Sequence, residues 1–123
     1  MKIEVSNGEI IDKLTIIDIK LKRIKDSEKL KNLQNEFEVL SEAAQSILSV
    51  DDLLYKELYD INLTLWDIED TIRELERKKD FGEKFIETAR AVYFNNDKRA
   101  ELKKLINQRT GSSLVEEKSY EKY

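Results

Sequence analysis

Apolar residues recur at intervals of three and four along most of this chain, the spacing of one face of an α-helix. Ile10, Leu14, Ile17, Leu21 and Ile24 form a first stripe. Leu30, Leu33, Phe37, Leu40, Ala44 and Ile47 form a second, and Leu54, Leu58, Ile61, Leu65, Ile68, Ile72 and Leu75 a third. The first stripe does not run into the second, because its continuation falls on Glu28 and Lys31. That phase break predicts a tight turn near Lys25 to Ser27, with Asp26 or Ser27 as the next N-cap. Before the first helix, Ser6-Asn7-Gly8-Glu9 fits a capping box: Ser6 accepts from the Glu9 amide and the Glu9 side chain reaches back. Lys2 to Val5 alternates polar and apolar and reads as a short extended lead or an edge strand.

The second and third stripes are in phase, so a single rod of about 75 Å is the alternative to a hairpin. Ser49-Val50-Asp51-Asp52 looks like a cap, and such a rod is hard to bury in a small domain, so the hairpin is expected. Helix three should end near Lys79, at Asp80-Phe81-Gly82. Phe85, Ile86, Ala89, Val92 and Tyr93 then give a fourth helix. Continuing the Phe85, Ala89, Val92 stripe puts Asn96, Arg99 and Lys103 on the core face, so the pattern predicts a turn at Asn95-Asn96. A fifth helix follows over residues 97 to 109, capped by Thr110-Gly111. The expected fold is all-α: an antiparallel bundle of three long heptad-patterned helices with two shorter C-terminal helices, as one domain over residues 1–111. The tail, 112–123, either docks through Leu114, Val115 and Tyr120 or frays.

Composition narrows the chemistry. Three glycines and no proline among 123 residues disfavour a turn-rich β domain. The 22 basic and 26 acidic residues give a net charge of −4, a poor match to nucleic acid. Neither cysteine nor histidine is present, which removes thiolate chemistry and the commonest general base and metal ligand. No apolar run reaches membrane-spanning length and the N-terminus is polar, so a cytoplasmic protein with no membrane contact is expected.

Three constellations remain. Asp67 and Asp70, spaced i,i+3 in Trp66-Asp67-Ile68-Glu69-Asp70, are matched by Glu9 and Asp12 on helix one. Facing carboxylate pairs on bundle helices hold Mg²⁺ and a phosphate substrate in all-α pyrophosphohydrolases; a solvated face with Glu69 or Asp70 paired to Arg73 explains them as well. Tyr55, Tyr59, Trp66 and Arg73 lie on a stripe beside the main seam of helix three. They are either a widened buried face or a partner-docking surface. Arg90, Tyr93, Asn96 and Arg99 flank the expected junction of helices four and five. There the free amides of a helix start and two guanidinium groups would suit a phosphate or carboxylate. Plain helix capping accounts for Asn95, Asn96 and Asp97 but leaves Arg90 and Arg99 over.

The opening IEVSNGEIIDKLTIIDIKL, the central NLTLWDIEDTIR and the distal FIETARAVYFNNDKRAELKKLIN followed by GSSLVEEKSY resemble a family of short uncharacterised bacterial and phage proteins, a domain of unknown function. The resemblance spans most of the chain and is weakest over residues 26 to 55. It implies a small helical protein and carries over no activity, cofactor or catalytic residue. From the residues themselves, the expected function is a non-enzymatic interaction or accessory domain acting through helix faces. Its partner would be another protein or a second copy, and no cofactor is called for. The alternative is a small-anion (nucleotide or sugar-phosphate) binding protein, or an Mg²⁺-dependent phosphohydrolase, using Arg90, Tyr93, Asn96 and Arg99 with Asp67 and Asp70.

Overall fold

The structure, a computed structural model, describes residues 1–114 and 117. Four helices make up its regular structure: α1 (Asn7–Arg23), α2 (Ser27–Ala44), α3 (Leu53–Arg77) and α4 (Glu83–Thr110). The described residues hold no strand, and Lys2 to Val5 is an exposed lead with no regular structure. No helix among them is long and apolar enough to cross a membrane.

The starts and stops have local causes. Ser6 caps α1 by accepting from the Glu9 amide (3.2 Å), Asp26 caps α2 through the Lys29 amide (2.9 Å), and Asp52 caps α3 through the Leu54 amide (2.9 Å). Arg109 of α4 also donates to both Asp52 oxygens, at 3.1 and 2.9 Å, fastening the start of α3 to the end of α4. Gly111 closes α4 in the left-handed region (φ 67), where a side chain would be strained. The chain does break between α2 and α3, so the two form no rod.

Two expectations change. The C-terminal pair of short helices is one continuous 28-residue helix, α4. Asn95 does not end a helix; its Nδ2 donates back to the Ala91 carbonyl at 2.8 Å, and Asn96 caps nothing. Nor do the three seams pack as one bundle. α1 is the hub and packs against α2, α3 and α4; α3 and α4 pack on each other; α2 lies along α1 alone.

The hub position explains how α1 is buried. Ile11, Asp12, Leu14, Thr15, Ile17 and Ile19 are all at most 2% exposed, which takes in far more of the helix than its heptad seam. The core gathers Ile11 and Leu14 with Ala44, Tyr55, Leu58, Leu102 and Ile106. Of the tail contacts expected from the sequence, Leu114 is exposed, and Val115 and Tyr120 lie outside the described residues.

Candidate functional site

The polar residues of α1 that its heptad seam ignores meet the polar face of α4. Asp12, 1% exposed, accepts from Arg99 twice: Nε to Oδ1 at 2.9 Å and Nη2 to Oδ2 at 2.5 Å. This two-pronged pairing fixes both groups in one plane. Asn62 of α3 donates through Nδ2 to Asp12 Oδ1 (2.9 Å) and to Thr15 Oγ1 (2.8 Å), while the Thr15 hydroxyl donates to the Asp12 carbonyl (2.7 Å). One turn along α4, Lys103 Nζ donates to Glu9 Oε2 at 2.7 Å. One turn further, Asn107 Oδ1 accepts from the Gly8 amide at 2.6 Å. Asn7 ends the ladder, its amide donating to Ser112 Oγ (3.0 Å) and its side chain to Thr110 Oγ1 (2.9 Å). Partners ascending along α1 descend along α4, so these contacts set the antiparallel register of the two helices.

Chemically the ladder is a lock. No buried side-chain nitrogen or oxygen among the described residues lacks a partner. Glu9 completes only half of its capping box, because its carboxylate turns to Lys103 instead of back to the cap. The first amides of α1 go to Ser112, Asn107 and Ser6, so this helix start offers no free donors to an anion.

The other sequence candidates are scattered. Arg90 is exposed, with Nε 3.4 Å from the Tyr93 hydroxyl and its guanidinium 5.8 Å from the Phe94 ring centroid. Arg99 lies nine residues on, about half a turn out of phase, and faces α1. The structure therefore does not bring Arg90 and Arg99 together. Asn96, partly buried, sits inside a continuous helix and marks no helix start. Asp67 and Asp70 are exposed; Asp67 accepts from Arg23 at 3.3 Å, and Arg73 pairs with Glu69 at 2.6 Å. Their expected counterparts Glu9 and Asp12 belong to the ladder. No group of three or more potential metal ligands converges among the described residues.

The aromatic stripe of α3 turns partly inward. Tyr55 is in the core, Trp66 is half-buried, and Tyr59 accepts from Lys22 Nζ at 3.1 Å with that ammonium 4.9 Å from its ring centroid. Donating to Tyr59 is the main reason the Lys22 ammonium is pushed up. The Tyr55 phenol is pushed up to about 12 by burial, then by the Asp18 carboxylate and Tyr59. In the unfolded chain a phenol titrates near ~10. The neutral form is thus favoured by folding; its contribution is complete below about pH 10 and is lost as pH rises toward 12. The Tyr55→Phe variant should therefore lose less stability than the parent between pH 10 and 12, read by urea unfolding at each pH. Parallel declines would mean that Tyr55 titrates as it does in water.

Sequence reasoning missed Asp12, Thr15, Asn62 and Asn107 as a buried set. A signal existed: the acids Glu9 and Asp12 near the start of α1 are complementary to the bases Arg99 and Lys103, in reversed order. Comparison with curated proteins finds no match, and comparison with solved structures finds none. A family model does match, over residues 1–123, the entire sequence. With that coverage the chain belongs to DUF6165, a family of unknown function.

Proposed function

We propose that this protein is a helical interaction module that pairs with a second copy of itself through α2. The observation that carries this reading is the position of α2, an 18-residue helix packed on α1 alone. In a closed bundle each apolar stripe is covered by two neighbours. Here Leu30, Leu33, Phe37 and Leu40 are only partly buried, and Val39, on the side of α2 turned away from that stripe, is 70% exposed.

Charge along α2 favours a second copy as the missing neighbour. Lys29 and Lys31 outnumber Glu28 in its first half, while its second half holds Glu38 and Glu42 together with Glu36, which pairs with Lys13 of α1. A two-fold axis sets two such helices antiparallel, bringing the lysines of each beside the glutamates of the other. Two α1–α2 hairpins joined this way complete a four-helix layer.

Light scattering after gel filtration tests the idea. The expected mass is twice the 14.5 kDa of one chain, falling to one chain in the Val39→Glu variant with its helix content intact. A parent protein that stays monomeric across the concentration range would sink the reading.

A further inference from the structure

We propose that the outer groove between α3 and α4 is a docking site for a basic amphipathic helix of another protein. Two hollows lie between these helices. One, of about 380 Å³, spans Glu57 to Ile61 and Lys98 to Leu105; the other, of about 350 Å³, spans Thr64 to Thr71 and Glu87 to Ala91. The lining positions Glu57, Ile61, Thr64, Ile68 and Thr71 step by four and three along α3. Leu105, Lys98 and Ala91 step by seven along α4. Each set is therefore one stripe of its helix, and the hollows are successive stretches of a single groove. From residue 57 to residue 71 it runs about 21 Å, the length of roughly four helical turns.

The groove faces away from α1, which is held instead by Asn62 of α3 and by Arg99, Lys103 and Asn107 of α4. Its floor is apolar: Ile61, Ile68, Ala91 and Leu102, with Leu105 48% exposed. The seven-residue spacing of Ile61 and Ile68 is the spacing that receives side chains of a third helix. The rim sets the partner's charge. Glu57, Asp60, Glu87 and Glu101 line it against one ammonium, Lys98, while Asp67 is engaged by Arg23. Four carboxylates around an apolar floor complement a helix with an apolar stripe and lysine or arginine on its flanks. A second copy is a poor occupant, because the helix it leaves with one neighbour, α2, carries four glutamates against two lysines and is not basic. The groove shares no residue with α2, so it stands whether or not the protein pairs through that helix.

Fluorescence anisotropy with the full-length chain tests this. Three labelled peptides of roughly 16 residues, long enough for the groove, are compared. The first has leucines at i, i+3, i+4 and i+7 among lysines and arginines; the second scrambles that sequence; the third replaces its bases with glutamate. The first should bind saturably, about tenfold tighter than the second, weakening with salt, and the third should not bind. The variant Glu57→Lys/Glu101→Lys should lose about tenfold for the basic peptide and gain binding of the acidic one. Leu105→Arg, a change at a half-exposed site, should lose a similar factor should the double variant fail to fold. Val39→Glu on α2 should change nothing. No binding, equal binding of the scrambled peptide, or variants within about twofold of the parent would overturn the proposal. Spermine binding with the same sensitivity to charge reversal, and no preference among peptides, would reduce the groove to a cation patch and overturn it too. A fall from dimer to monomer mass in the groove variants would assign it to a second copy, with the same consequence.

Discussion

Replacing Arg99 with alanine is expected to cost about 3–5 kcal/mol of stability, the range for stripping one partner from a buried ion pair. The Asp12 carboxylate left behind is 1% exposed, and Asn62 supplies it with one neutral donor in place of a guanidinium fork. An uncompensated buried charge is far more costly than a lost surface pair. Arg99→Lys keeps the charge but not the planar two-pronged geometry, and should fall between parent and alanine. Asp12→Leu/Arg99→Met removes both charges, so it should recover part of the loss: no buried charge is left to desolvate, although the Asn62 amide loses its Asp12 acceptor and keeps only Thr15. Urea unfolding of the parent, Asp12→Leu, Arg99→Met and the double variant closes the cycle and yields the pairwise coupling. A loss below about 1 kcal/mol for Arg99→Ala, the size expected of an exposed pair, would show that Asp12 reaches solvent and that the lock is not real.

Gly8→Ala is expected to destabilise by about 2–3 kcal/mol, against the sign that helix propensity alone assigns it. Gly8 is the second residue of α1, and in an isolated helix alanine is better than glycine by about 1 kcal/mol. Here a β-carbon at residue 8 would run into the Lys103 carbonyl oxygen and stand 3.0 Å from Asn107 Oδ1. The carbonyl belongs to the backbone of α4 and cannot swing aside, so α1 must lift. Lifting it stretches the 2.6 Å bond from the Gly8 amide to Asn107 and the Glu9–Lys103 pair next to it. Chemical denaturation decides between the two signs: a variant as stable as the parent or more so would mean that a β-carbon fits between α1 and α4 at residue 8.

Much of the fold was legible in the sequence because it depends on local chemistry. The three seams, the phase break at Lys25 to Ser27, the Ser6 and Asp26 caps and the Gly111 terminator each reflect interactions within a few residues. They recur in the structure near where the pattern predicts them. The absence of histidine and cysteine narrowed the chemistry without any knowledge of the fold. The most instructive misreading is α4. Asn96, Arg99 and Lys103 on a core-facing stripe predict a turn, yet the helix continues through all three. Polar residues break a helical pattern only if the surface they face is apolar. The surface they face belongs to α1, where Asp12 and Glu9 wait for Arg99 and Lys103.

Tertiary structure alone decided which helix is central. α1, α2 and α3 carry similar seams, yet only α1 is enclosed. Its off-seam residues Ile11, Thr15 and Ile19 hint at burial on more than one face, but they do not say which helices do the burying. Tertiary structure also decided that α2 keeps one neighbour, and that an acidic groove stays open between α3 and α4. Helix periodicity and capping arise from the backbone and its nearest side chains, so the sequence by itself determined them. Partner choice depends on pairs such as Asp12 and Arg99, 87 residues apart, and becomes definite only when folding sets one surface against another.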